Sequence, residues 1–227
     1  MITGASRGLG RALALGFARE GAALALCARG AGDLEAVAGQ ARRQGVEVVA
    51  VNADVGSARD VERLVDTALA RFHRVDVLVN NASDIGPLPL PHLCDAPSVG
   101  LQRVLEVNVL GPFRLTQAVI GGMLLRGSGL IVNLTSDAAV EGYPGWGLYG
   151  ASKAALEGLT RSWDAEVRDG GVRVMAVDPG DMDTAMHRAA VPDADPADLR
   201  SPEEVAEAIL RVVAGGTPQV PRLAIAL

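Results

Sequence analysis

The chain has 227 residues, 49% of them hydrophobic and 21% charged, which excludes a disordered polymer and gives a sizeable core. At this length a single domain spanning residues 1–227 is expected. A net charge of −6 and a pI near 5.1 argue against a nucleic-acid or anionic-membrane partner.

In chain order, a short apolar stub, Met1-Ile2, leads into Thr3-Gly4-Ala5-Ser6-Arg7-Gly8-Leu9-Gly10. The glycines permit a tight turn and let backbone N–H groups approach a phosphate at the start of the next helix, predicted over roughly Leu9–Glu20. Gly4-Ala5-Ser6-Arg7-Gly8 also satisfies the G-x-S-x-G nucleophile elbow, so a hydrolase using Ser6 is a rival. A hydrolase would place that elbow after several strands and follow it with Asp and His, and His187 is the only late histidine here. A strand over Ala22–Ala28 ends in Cys27-Ala28-Arg29-Gly30, where an NAD enzyme carries an Asp or Glu for the ribose 2′-hydroxyl. No acid comes before Asp33, and Arg7 and Arg29 together point to a 2′-phosphate, hence NADP(H).

A helix over Asp33–Gln44, a strand over Val46–Val51 and a helix over Ala58–Phe72 follow, with Asp54-Val55 just after the strand. The Val75–Val79 strand leads to Asn80-Asn81-Ala82-Ser83. Both clusters suit contacts with adenine and ribose, and equally suit turns. One long helix is predicted over roughly Leu101–Leu125, then a strand over Leu130–Leu134 ending in Thr135-Ser136. A helix over Tyr149–Arg168, a strand over Val172–Val177 and a helix over Pro202–Val213 complete the alternation, and Gln219–Leu227 can form a last strand. Strand and helix alternating in this way predict an α/β fold, an open doubly wound parallel sheet with helices on both faces. Its nearly continuous apolar strands fit burial on both faces. Ligands then bind outside the carboxyl ends of the strands.

Arginine outnumbers lysine 20 to one, and the one is Lys153, four residues after Tyr149 on the same helical face. A phenol with pKa near 10 is a poor proton shuttle at neutral pH. An ammonium about 4 Å away at an effective dielectric near 20 would stabilise the phenolate by about 4 kcal/mol, about three pKa units. Tyr149 is therefore expected to titrate near the operating pH. A guanidinium supplies charge too, but its planar fork suits a carboxylate or phosphate better than a compact slot.

Thr3–Gly10, Asn80-Asn81-Ala82, Asn108, Ser136, Tyr149-x-x-x-Lys153 and Pro179-Gly180 together resemble the short-chain dehydrogenase/reductase family, over almost the whole chain. The resemblance implies a Rossmann fold with strand order 3-2-1-4-5-6-7 and hydride transfer between a nicotinamide and a carbonyl or alcohol carbon. It implies Tyr149 as general acid/base, Ser136 on the substrate oxygen, and Lys153 on the nicotinamide ribose. By the same resemblance Asn108 positions a water and Thr184 contacts the nicotinamide end of the cofactor; with the residues read above, the candidate cofactor set is Gly4, Ser6, Arg7, Gly8, Leu9, Gly10, Arg29, Asp54, Val55, Asn81, Ala82, Tyr149, Lys153, Pro179, Gly180 and Thr184. It also implies a homodimer packed through the two long helices, with a tetramer as the larger alternative. Ser83 stands where the family usually has Gly. Because so little strand precedes Thr3, the natural protein is expected to begin earlier than Met1.

These readings predict a cytoplasmic NADP(H)-dependent carbonyl reductase with a small-molecule substrate. Apolar runs far short of the ~20 residues of a membrane span, the lack of a signal peptide and two scattered cysteines, Cys27 and Cys94, support the compartment. His73, His92 and His187 have no metal-site spacing, so no metal is expected. The alternative is a non-catalytic NADP(H)-binding sensor or scaffold of the same fold, against which the set Asn108, Ser136, Tyr149 and Lys153 argues. The substrate pocket is expected from Asp84–Leu93, Asp137–Gly147 and Met182–Leu199. Asp84, Glu141 and Asp181 lean mildly against anionic substrates but read first as solvated loop carboxylates, and His92 and His187 as solvated loop histidines.

Overall fold

The computed structural model describes residues 1–215 and 222–225. Strands β1 (Ile2–Thr3), β2 (Leu24–Ala28), β3 (Val48–Asn52), β4 (Val77–Asn80), β5 (Gly129–Leu134), β6 (Val172–Asp178) and β7 (Arg222–Ala224) form one sheet in the order β3-β2-β1-β4-β5-β6-β7. Every pairing is parallel. The expected doubly wound α/β fold and its strand order are therefore both present. The remainder of the predicted last strand lies outside the described residues.

Alternation along the strands explains why they read as unbroken apolar runs. Leu24, Leu26 and Ala28 of β2 face one core with α1 (Gly8–Arg19), α2 (Ala31–Arg42) and α8 (Pro202–Ala214). Ala25 and Cys27 face a second core with α3 (Ala58–Phe72) and α5 (Gly111–Arg126). Each fully buried Leu or Ile, such as Leu13, Leu64 or Ile131, contributes about 1.5–3 kcal/mol. Burial also pushes the Cys27 thiol up to about 12, so it stays protonated and behaves as a small apolar side chain.

The single helix predicted over 101–125 is two helices, α4 (Ser98–Leu105) and α5, joined by a π turn over Glu106–Leu110. Pro112 has no N–H to return to the Asn108 carbonyl, so an α-helix cannot run through this point unchanged. Gly111 fixes the same spot from outside, because a Cβ there would lie 2.8 Å from the Val55 carbonyl oxygen. Such wide turns concentrate at functional positions.

α6 (Gly147–Val167) is anchored along its length, with α7 (Ala185–Ala190) following β6. A Cβ on Gly150 would lie 2.6 Å from the Ala138 carbonyl oxygen, so the first turn of α6 rests directly on the backbone after β5. Farther along, buried Glu157 accepts from Thr135 Oγ1 at 2.8 Å and from Arg222 Nε at 2.9 Å, tying α6 to β5 and β7. Near its end, fully buried Asp164 accepts from Arg173 Nε at 2.9 Å and from the Val174 N–H at 3.1 Å, and pairs with Arg168. Burial alone would raise the Asp164 carboxyl, but the Arg173 and Val174 hydrogen bonds and the two guanidinium charges hold it below the ordinary carboxylate value. A depressed folded-state pKa gives stability that is present above the unfolded value of about 3.9 and lost as pH falls through the folded value. Asp164→Asn should therefore lower stability at pH 7 by about 3 kcal/mol. It should also flatten the acid dependence below about pH 4, as read by urea unfolding at pH 7 and pH 3.

Candidate active site

The sheet reverses its winding between β1 and β4, where a crevice opens at the carboxyl ends of the strands. Thr3 and Asn81 fasten its two lips together. Thr3 Oγ1 accepts from the Asn81 and Ala82 N–H groups, each at 3.0 Å, and Asn81 Nδ2 donates to the Thr3 and Gly4 carbonyls at 2.8 and 3.3 Å. The Asn81 side chain, expected to contact a cofactor, is thus occupied in holding the turn that follows β1. Gly4 and Gly8 have φ of +66° and +51°, where L side chains are strained. A Cβ on Gly10 would lie 2.2 Å from the Gly4 carbonyl oxygen and 2.5 Å from Asn81 Nδ2. Only glycine lets α1 begin this close to β1. The unsatisfied N–H groups of its first turn open where Ser6, Arg7, Gly8, Leu9 and Gly10 line a cavity of about 800 Å³.

At one end of the cavity stand Arg7 and Arg29, both exposed. Among the described residues neither has a carboxylate within 4 Å, whereas Arg11 pairs with Glu203 at 3.2 Å. Asp33, in the first turn of α2, lines the same end. Asp54 also reaches the cavity, but its two oxygens accept from the Gly56 N–H at 2.9 Å and from Arg103 Nη2 at 2.7 Å. Val55 and Ala82 line the wall between the two ends.

At the other end Tyr149 and Lys153 meet, with Pro179 and Thr184. Lys153 is 2% exposed; its Nζ donates to the Leu134 carbonyl at 2.7 Å and sits 5.4 Å from the Tyr149 ring centroid. Burial pulls the ammonium down to about 8. Tyr149 does not behave as its spacing from lysine predicts. Desolvation pushes the phenol above its ordinary value, the Ser83 and Ser136 hydroxyls work the other way, and the Asp178 and Asp137 charges raise it further. The ammonium is itself stripped of water and bound to a backbone carbonyl, so its field does not offset the burial of the phenol.

Ser136 Oγ donates to Asp137 Oδ1 at 2.8 Å, and Tyr143 Oη donates to Asp137 Oδ2 at 2.8 Å. The second tyrosine, which lacks a lysine partner in sequence, thus joins the same network. Asn108, in the π turn and 1% exposed, lies behind the cavity wall. Its Oδ1 accepts from the Asp84 N–H at 2.8 Å and from Ser83 Oγ at 3.2 Å, and its Nδ2 donates to the Asp84 carbonyl and to Ser152 Oγ at 2.8 and 2.9 Å. Gly180, at φ +69°, donates its N–H to Asp178 Oδ1 at 3.0 Å and shapes the turn after β6. Thr184 caps α7 through the His187 N–H, and its methyl group lies against Gly8.

The amino-acid profile of the family described as short chain dehydrogenase matches residues 1–195. The chain belongs to that family. It is 38% identical over 187 residues to a 3-oxoacyl-[acyl-carrier-protein] reductase from Synechocystis sp., covering 82% of this chain and 74% of the relative. An alcohol dehydrogenase from the archaeon Thermococcus sibiricus, solved with 5-hydroxy-NADP, superposes with a TM-score of 0.88 at 34% identity, covering 99% of this chain and 94% of that one. An NAD+-bound xylitol dehydrogenase gives 0.86 at 29%, covering 99% and 95%. This short-chain dehydrogenase is accordingly a hydride-transferring oxidoreductase that uses a nicotinamide cofactor and a small-molecule substrate. The crevice fits such a cofactor, because the first turn of α1, with its unpaired N–H groups, borders a cavity of about 800 Å³ that is also lined by Tyr149 and Lys153.

Several residues of this dehydrogenase site had no local sequence signal. Arg103, on α4, pairs with Asp54 and stands 3.7 Å from Asp84, which is therefore not a freely solvated carboxylate. Asp137 follows Ser136 directly, yet nothing in the pattern says that it would hold two hydroxyls. His187 is not a solvated loop histidine: its side chain is 15% exposed and Nε2 stands 3.5 Å from Asp181 Oδ1. Among the described residues, no helix is long and apolar enough to cross a membrane, and no cluster of His, Cys, Asp and Glu is placed to hold a metal. Gly10→Ala must displace the turn after β1, so affinity for the reduced nicotinamide cofactor, measured by fluorescence titration, should fall more than about tenfold while the protein stays folded.

Proposed function

We propose that the protein is an NADP(H)-dependent carbonyl reductase, interconverting a ketone or aldehyde and its alcohol. The observation that carries the reading is that Tyr149 and Lys153 meet in a crevice that is also lined by Arg7 and Arg29, with Ser136 in the turn that follows β5. The relatives named as 3-oxoacyl reductases support the reducing direction.

Ser6, Gly8, Leu9 and Gly10 would hold the cofactor's pyrophosphate through backbone N–H groups. Arg7 and Arg29 would engage its 2′-phosphate, Val55 and Ala82 its adenosine half, and Pro179, Gly180 and Thr184 its nicotinamide half. When bound, the cofactor supplies the hydride to the carbonyl carbon or takes it back from the alcohol carbon. Ser136 hydrogen-bonds the substrate oxygen by turning its hydroxyl proton from Asp137, which otherwise accepts it. Tyr149 gives that oxygen its phenolic proton in reduction and recovers it in oxidation, as general acid and base. Lys153 would hold the nicotinamide ribose, and its positive charge favours the phenolate. Asn108 braces Asp84 and Ser152 from behind and keeps the Tyr149 end of α6 in register.

Tyr149→Phe should lower turnover with NADPH and a broad ketone panel by about 10²–10⁴-fold and leave NADPH binding within about twofold; an unchanged rate refutes the mechanism. Lys153→Arg preserves the charge, but five N–H donors meet one carbonyl acceptor in a buried slot, so it should lose turnover as well. For cofactor choice, Arg7→Ala combined with Arg29→Ala removes two charge-assisted contacts. NADPH affinity should then fall about 10²-fold with little change for NADH, and a wild-type preference for NADH overturns the assignment.

A further inference from the structure

Ser136 and Asp137 meet where the chain leaves β5, and the carboxylate gathers three donors. Oδ1 accepts from Ser136 Oγ and from the Ala138 N–H, each at 2.8 Å, and Oδ2 accepts from Tyr143 Oη at 2.8 Å. Partial loss of water alone would raise the Asp137 carboxyl, but the Tyr143 and Ser136 hydroxyls and the Ala138 N–H hold it below its ordinary value. It is therefore charged at neutral pH. The Arg222 guanidinium, whose charge also favours the carboxylate, is itself held by Glu157 and Asp178. Asp137 thus rests on neutral donors, and one of them has a second task. A hydroxyl carries a single proton. When Ser136 gives it to a substrate carbonyl, Oδ1 loses a donor, and a charged acceptor left short costs more than a neutral one.

We infer that the substrate is a ketone bearing a hydroxyl on the adjacent carbon, and that this hydroxyl replaces the Ser136 proton on Asp137 Oδ1. The inference rests on the reading of Ser136 and Tyr149 as the groups that meet the substrate oxygen. Two hydrogen bonds of ordinary O–H···O length that share one hydroxyl oxygen at near the tetrahedral angle set their far ends about 4.5 Å apart. A carbonyl oxygen on Ser136 stands at that separation from Oδ1. In an α-hydroxy ketone the hydroxyl lies beside the carbonyl oxygen and spans the gap with a donated hydrogen bond. Solvent water serves Oδ1 while the site is empty, and a substrate seated on Ser136 takes that water's place. The hydrogen bonds then balance: Ser136 donates to the carbonyl oxygen, the substrate hydroxyl donates to Asp137, and the Tyr143 and Ala138 contacts stay as they are. Hydride from NADPH goes to the carbonyl carbon and the Tyr149 proton to its oxygen, giving a vicinal diol, with the adjacent hydroxyl unchanged. A simple ketone brings no donor and leaves the carboxylate short, and a 2-oxo acid sets a second carboxylate against it. Asp137 is in this way a specificity-determining residue, recognising the neighbour of the carbon that reacts.

Three ketones separate the donor from other effects of the substituent. They are 1-hydroxybutan-2-one, its methyl ether 1-methoxybutan-2-one, which keeps the electron-withdrawing oxygen, and pentan-3-one, which puts a methyl group in place of the hydroxyl. With NADPH, kcat/KM for the hydroxy ketone should exceed that for each of the others by at least about tenfold. Asp137→Asn keeps the size but accepts without charge, and should bring both ratios to within about threefold. Tyr143→Phe leaves Oδ1 its charge and should retain them. Wild-type ratios within about twofold overturn the proposal whether or not Asp137→Asn folds, and so does a preference that survives Asp137→Asn or is lost in Tyr143→Phe. Binding is read separately by ligand-observed NMR titration against the protein with NADP⁺, which has no hydride to give. There the hydroxy ketone should bind at least about tenfold more tightly than its methyl ether, and equal affinities overturn the assignment. If the wild-type chain reduces none of the three ketones, the reductase reading fails by itself, and the difference in affinity still decides whether Asp137 receives the hydroxyl.

Discussion

The distance on which the rest of the site depends is the approach of Gly10 to the Gly4 carbonyl. A Cβ at residue 10 would stand 2.2 Å from that oxygen, so α1 meets β1 closer than any side chain allows. The gap is held from the other side by Thr3 and Asn81, whose four hydrogen bonds fasten the turn after β1 to the end of β4. β1 pairs in register over Ile2 and Thr3, and these side-chain bonds at its carboxyl end add to that ladder in fixing the turn. The same bonds keep the cavity open where the sheet changes its winding.

The second rigid part is α6. It carries Tyr149 and Lys153 in its first two turns, and its placement is enforced at three depths: Gly150 against Ala138, Glu157 between Thr135 and Arg222, and Asp164 between Arg168 and Arg173. Each contact joins the helix to a strand or turn that also bears a site residue. Thr135 precedes Ser136, and Asp178, which shares Arg222 with Glu157, precedes Pro179. A displacement of α6 would therefore move the hydroxyl of Ser136 and the turn at Gly180 together with the phenol. Buried ion pairs of this kind add little net stability, but they fix geometry because removing one partner leaves the other uncompensated.

Period and punctuation make the fold legible in the sequence. β2 and β6 read as continuous apolar runs because both faces are buried, and the glycines at 4, 8 and 10 announce a turn that nothing else can make. The π turn is less visible: Pro112 and Gly111 mark it, but hydrophobic spacing over 101–125 carries on through it, so periodicity alone gives one helix. The roles of Arg103 and Asp137 are not legible, because they depend on which strands lie side by side. Arg103 meets Asp54 only once α4 lies beside the turn after β3. Tyr149 departs from expectation for a different reason. Spacing along a helix states how far apart two groups lie, and says nothing of how much water each has lost.

That loss of water also accounts for the one lysine among 21 basic residues. Most of the arginines lie at the surface or pair with carboxylates that accept a fork, as Arg222 does between Glu157 and Asp178. Among the described residues Lys153 finds one acceptor in the slot under Tyr149, the Leu134 carbonyl at 2.7 Å. An ammonium satisfies that oxygen and keeps two protons to direct into the cavity, whereas a guanidinium would bury donors with nothing to meet them. Composition that favours arginine almost everywhere else thus gives way where the cation must be compact and sparing of acceptors.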